Sequence, residues 1–148
     1  MTVKLFSSIE TSASGLTAER LRLDLIAANL ANAESTKTET GGPYRRKVAI
    51  FAPQGARYSF RDIFSSRLVA AAGGVQVVGI QEDKAPFKRV YTPGHPEADK
   101  DGYVTYPNVD VVTEMVDMMA ATRAYEANVT AIEAAKTMAQ RALDLLRS

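Results

Sequence analysis

The 148-residue chain contains no cysteine. Disulfide frameworks, thiolate metal sites and thiol nucleophiles are excluded together. Histidine is almost as scarce, with His95 alone, and one imidazole cannot build a multi-histidine zinc site. No run approaches the ~18 apolar residues that would span a bilayer. Met1 to Ser8 lack the ~7–15-residue apolar core of a secretory signal, so any export is expected to use a route without a cleavable signal. An excess of one charge sign is missing too, since 18 basic and 17 acidic side chains leave +1. Nucleic acid or direct membrane insertion is therefore not expected. At this length there is one modest core to bury, not two.

What is present is heptad order at both ends. From Val111 the chain steps alternately by four and three through Met115, Met118, Thr122, Tyr125, Val129, Ile132, Lys136, Ala139, Leu143 and Leu146. Only Thr122 and Lys136 interrupt the apolar run. Such spacing predicts a helix with one narrow stripe, and a narrow stripe is a seam for another helix. At 1.5 Å per residue that helix would be ~55–60 Å long. The N-terminal end matches it, with Ile9, Leu16, Leu23 and Leu30 seven apart and Ile26 and Ala33 in the second register. These positions form the predicted assembly seam. Asn29, Asn32 and Asn128 fall in the same helices, where a polar group beside a seam can fix register or simply face water.

Local signals divide the rest. The first helix is expected to start between Val3 and Ser8, where Ser7 and Glu10 have the form of a capping box. Gly15 costs it ~1 kcal/mol against alanine and hints at close packing or a bend. Gly41-Gly42-Pro43 breaks the chain after the helix fades near Ala33. Strands are predicted over 44–51, 74–81, 87–91 and 102–106, with Arg45, Arg46 and Lys47 at an exposed or edge position. Thr92 to Pro96 reads as a rigid turn, and Asn108 or Asp110 can cap the last helix. The predicted fold class is mainly α with a small β middle domain, its long terminal helices forming a coiled-coil-like layer. Residues 1–34 and 107–148 are the paired helices of an assembly core. Residues 35–106 are a small β-rich outer domain with a loop insertion over about 54–72.

Chemistry finds little purchase. His95, flanked by prolines, has no nucleophile motif beside it and reads as a turn residue. Asp99-Lys100-Asp101-Gly102 lacks the full pattern of a calcium loop, and neither glycine pair is followed by the Lys-Ser/Thr of a phosphate loop. No catalytic, cofactor-binding or metal-ligating residue is expected, and no enzyme activity.

Several segments carry a family resemblance. Ser14 to Ala33 (SGLTAERLRLDLIAANLANA) resembles the opening helix and asparagine-rich end of bacterial flagellar rod and hook proteins. Gly41 to Lys47, Pro93 to Pro96, Gly102 to Val109, Glu114 to Met118 and Ala121 to Val129 are similar to its proximal-rod branch, the FlgC type, in the right order. Gln54 to Ala72 departs by looking longer than in shorter members. The resemblance implies a structural subunit of the basal-body rod, with an inner coiled-coil layer of terminal helices and a small outer domain. It implies export unfolded through the flagellar type III apparatus to the basal body, on the periplasmic side or within the cell envelope. It also implies other rod proteins, the rod–membrane-ring adaptor and further copies of the chain as partners, and no cofactor. The alternatives are another axial component, which the Gly-Gly-Pro-Tyr-Arg-Arg and Gly-His-Pro segments argue against, or a small metal-dependent protein centred on His95.

Overall fold

A computed structural model describes residues 2–39, 41–54 and 73–147, with side chains over 7–39, 41–54 and 73–145. The predicted insertion beyond Gln54, to residue 72, lies outside the described residues, as does the side chain of Leu146. Helix α1 spans Thr2–Ala31 and helix α2 spans Val111–Arg147. Between them in sequence come β1 (Lys47–Pro53), β2 (Val75–Glu82), β3 (Lys88–Tyr91) and β4 (Tyr103–Tyr106). The fold is mainly α with a small β middle.

The helix ends follow from local chemistry. Thr2 already belongs to α1, so Ser7 is not its cap; the Ser7 carbonyl instead accepts the Thr11 hydroxyl at 2.8 Å. At the other end Asn32 Nδ2 donates to the Ala28 carbonyl at 2.8 Å, closing the last turn before Gly41 and Gly42 take φ of 84° and 83°. Asp110, not Asn108, caps α2: its Oδ1 accepts the Thr113 N–H at 3.0 Å. That bond is the main reason the Asp110 carboxyl lies below its usual range.

The strands make two two-stranded sheets, β1 with β2 and β3 with β4. Bonds from Asp83 N–H to the Arg46 carbonyl and from Gln54 N–H to the Gly74 carbonyl flank the first ladder and fix its antiparallel sense. The second is antiparallel with Lys88 opposite Tyr106 and Tyr91 opposite Tyr103. Its connection closes on Gly102, where φ is 80° and a Cβ would come within 2.8 Å of the Tyr91 ring. Asp99 organises the same loop by accepting the N–H groups of Asp101 and Tyr103 and pairing with Arg89 at 2.7 Å. His95 sits in this connection, its Nδ1 accepting the Glu97 N–H at 3.2 Å.

Contacts gather the chain into two compact units. The first draws on Met1–Arg20, Ile50–Gly79 and Thr122–Ser148, the second on Leu21–Ala49 and Ile80–Ala121. In the first, Ala18 and Ala135 are buried. A Cβ on Gly15 would lie 2.9 Å from Asn128 Nδ2, so the glycine allows close approach there, and α1 runs through it without a break. Ser14 Oγ donates to the Thr11 carbonyl at 2.7 Å and accepts the Val75 N–H at 3.0 Å. A Cβ on Gly74 would collide with that hydroxyl. Gly74→Ala is therefore expected to cost about 1–3 kcal/mol by displacing Ser14 and breaking its bond to Val75. A thermal melt checks it, and Ser14→Gly in the same chain should return part of the loss.

Candidate functional site

The second unit holds the densest set of buried polar groups. Its apolar core is small, made of Ile26, Val104, Val109 and Ala121. Among these sit Asn29, 1% exposed, and Glu114, fully buried. Burying such groups is costly unless every donor and acceptor is matched. Here they are matched. Asn29 Nδ2 donates to the Lys47 carbonyl at 2.9 Å and to Glu114 Oε2 at 3.1 Å. Its Oδ1 accepts the Lys47 N–H at 2.9 Å and the Tyr44 hydroxyl at 3.0 Å. The side chain thus uses both donors and both lone pairs.

Glu114 also accepts Arg46 Nε at 2.6 Å through Oε1. The same guanidinium reaches Asp117 at 3.3 Å and Asp83 at 3.6 Å, and Asp117 lies 3.8 Å from Arg22. Burial works against the charged form of Arg46, but the bond and the field of Glu114, with Asp117 and Asp83, outweigh it and raise its pKa. Tyr44 is pushed up by burial and by the negative charges of Glu114 and Glu82. The Arg46 backbone is held as well, its N–H donating to Asn108 Oδ1 at 2.8 Å. Asn108 Nδ2 passes the connection on to the carbonyls of Asp83 and Ala85. One network therefore joins α1, the lead into β1, the segment after β2 and α2.

This corrects the reading of Arg45, Arg46 and Lys47 as an exposed edge. The strand starts at Lys47, which is exposed, whereas both arginines precede it and are half-buried. Arg45 stacks on Phe87 at 4.2 Å and donates to the Asp83 carbonyl at 2.9 Å. Such a node can position elements; it has no nucleophile or open acid–base pair. Among the described residues no group of three or more His, Cys, Asp or Glu side chains could hold a metal ion. None of their helices is long and apolar enough to cross a membrane.

The predicted seam positions divide between covered and open. On α1 Ile26 is buried and Ile9, Leu16, Leu23 and Leu30 are half-buried. On α2 Met118, Tyr125, Val129, Ile132 and Ala139 are half-buried. Val111, Met115 and Leu143 are exposed at 44%, 53% and 60%. Within the chain the covered stripe of α2 runs Glu114, Met118, Ala121, Tyr125, Asn128, Ile132, Ala135, Ala139. Its second register falls one residue before Met115, Thr122, Val129 and Lys136. Thr122 and Lys136 are exposed beside the buried Ala121 and Ala135. The open side of the same helix carries Val112, Met115, Val116 and Met119, each more than half exposed.

Comparison with known proteins is consistent along the chain. Residues 9–37 match the family described as flagella basal body rod protein. Residues 100–145 match the C-terminal region described for flagellar basal body rod FlgEFG proteins. The flagellar basal-body rod protein FlgC of Borreliella burgdorferi is 46% identical, over 97% of this chain and 98% of that protein. FlgC of Bacillus subtilis is 44% identical, and FlgC of Escherichia coli O6:H1 43%, each over 95% of this chain and 97% of the relative.

Proposed function

The chain belongs to the FlgC family of flagellar basal-body rod proteins and is a structural subunit of the rod, not an enzyme; we propose that its terminal helices, 1–34 and 107–148, form the inner coiled-coil-like layer of that rod. Residues 35–106 form the outer part. In this reading the seam is Ile9, Leu16, Leu23, Ile26, Leu30, Val111, Met115, Met118, Tyr125, Val129, Ile132, Ala139, Leu143 and Leu146, and its open members Val111, Met115 and Leu143 meet other rod proteins and further copies of the chain. The subunit reaches the periplasmic side of the basal body through the flagellar type III export apparatus, without a cleavable signal, and the rod–membrane-ring adaptor is a neighbour.

One observation carries the reading. Helix α2 already turns a stripe inward, yet leaves a second set of large apolar side chains open, with Val112 72% and Leu145 78% exposed. Apolar side chains bunched on one helix face mark an interaction surface. The test uses cysteine pairs, one on each helix, in purified basal bodies. A disulfide needs Cα atoms within about 7 Å, so several pairs are scanned. Pairs that link across α1 and α2 support the paired layer. If none links, while each helix links readily to other rod proteins, the paired-helix layer is wrong.

A further inference from the structure

The apolar stripes of both helices nearly repeat when moved by seven residues. On α1 the move carries Ile9 onto Leu16, Leu16 onto Leu23 and Leu23 onto Leu30. On the covered stripe of α2 it carries Met118 onto Tyr125 and Tyr125 onto Ile132, and it carries the buried Ala121 onto the half-buried Asn128 and that onto the buried Ala135. Large side chains replace large ones along most of both stripes, with Ile132 onto Ala139 and Ile26 onto Ala33 as the steps where they do not. A stripe with that property packs nearly as well one heptad out of place, since volume-conserving swaps are tolerated in cores. Apolar packing alone therefore favours one register only weakly.

The polar groups do not repeat. Moving α2 by a heptad would set Ala121 where Glu114 now meets Asn29, leaving one buried Asn29 N–H and the half-buried Arg46 Nε without acceptors. Glu114 is fully buried and takes both of those donors. An unmatched buried amide, with an arginine robbed of its nearest carboxylate, is costlier than an imperfect apolar contact. We propose that the Asn29–Glu114–Arg46 node is a register lock, which selects one pairing of α1 and α2 from a set of heptad-related pairings that the apolar stripes would otherwise accept. Asn29 extends the choice to the sheet, because it holds both backbone groups of Lys47. The lock thereby sets which α2 side chains remain open to a neighbour.

The lock is tested on the full free chain, whose lack of cysteine makes labelling clean. Spin labels go on Asp24→Cys and Ala120→Cys, both exposed, both in the second unit and outside the node. Pulsed dipolar spectroscopy should give one distance in the otherwise native chain. In the variant Asn29→Leu, Arg46→Met, Glu114→Leu, helicity by circular dichroism should persist while further distances appear, displaced by up to about 10 Å, the rise of seven helical residues. A single unchanged distance in that variant would show that the node does not choose the register. Loss of helicity would show that the node is needed to fold at all and is not a selector among folded pairings, and this too would overturn the proposal. Because the measurement needs no rod, failure of the paired-layer reading in basal bodies leaves its outcome unaffected.

Discussion

Replacing Glu114 by alanine is expected to destabilise the free chain by about 2–4 kcal/mol, because it strands a buried amide donor and takes the nearest carboxylate from a half-buried arginine that keeps Asp117 and Asp83. The carboxylate is fully buried and receives Arg46 at 2.6 Å and Asn29 at 3.1 Å. Alanine leaves the Arg46 Nε–H and one Asn29 N–H facing an apolar gap. At ~2–4 °C per kcal/mol for a chain of this length, the melting temperature should fall by on the order of 10 °C. Glutamine cannot rescue it fully. Both Glu114 oxygens act as acceptors, so whichever way the amide turns, its NH2 group meets a donor. Glu114→Gln should therefore melt between native and Glu114→Ala. A chain in which Glu114→Gln melts like the native protein would show that the second acceptor carries no weight.

The second large effect should appear in the assembled rod and not in the free chain. Met115 is 53% exposed, so Met115→Asp should move the free chain's stability by no more than about 0.5 kcal/mol, as at other open surface positions. In the rod the same carboxylate would be buried against apolar side chains of a neighbour, at several kcal/mol for an unpaired ion. Every copy repeats that cost. Rod incorporation and swimming should be lost while expression and the melting curve are kept. Lys37→Ala, at an exposed position outside both helices, is the matched control and should swim. Swimming Met115→Asp cells would remove Met115 from the seam.

Much of the fold was legible because it rests on local signals. The period of seven predicted both long helices, and the β-branched run after Gly73-Gly74 predicted β2. The cap of α2 was visible in Asp110. What sequence reasoning missed is non-local. Nothing near Arg46 announces that its partner lies 68 positions away at Glu114. Reading charge as surface put Arg46 at an edge and gave Glu114 no structural partner. A signal was present all the same. Glu114, Ala121, Asn128 and Ala135 stand seven apart, and three of these are small or uncharged, which marks Glu114 as the odd member of a covered register. The apolar count preferred Met115 and Val129 because hydrophobicity outranks smallness in a heptad search. On α2 small residues mark the close-packed side, as Ala121 and Ala135 do, and the larger open ones mark a face left for another chain.

That division is the central claim, and cysteine accessibility at Met115 measures it most directly. Met115→Cys introduces the only thiol in the chain. In the free subunit it should react with a maleimide about as fast as a cysteine at the exposed Lys37 position. In purified basal bodies it should be protected at least tenfold relative to that control, because a neighbour's helix covers it. Equal reactivity in the free and assembled subunit would contradict the account, since it would leave the open face of α2 uncovered in the structure it is proposed to build.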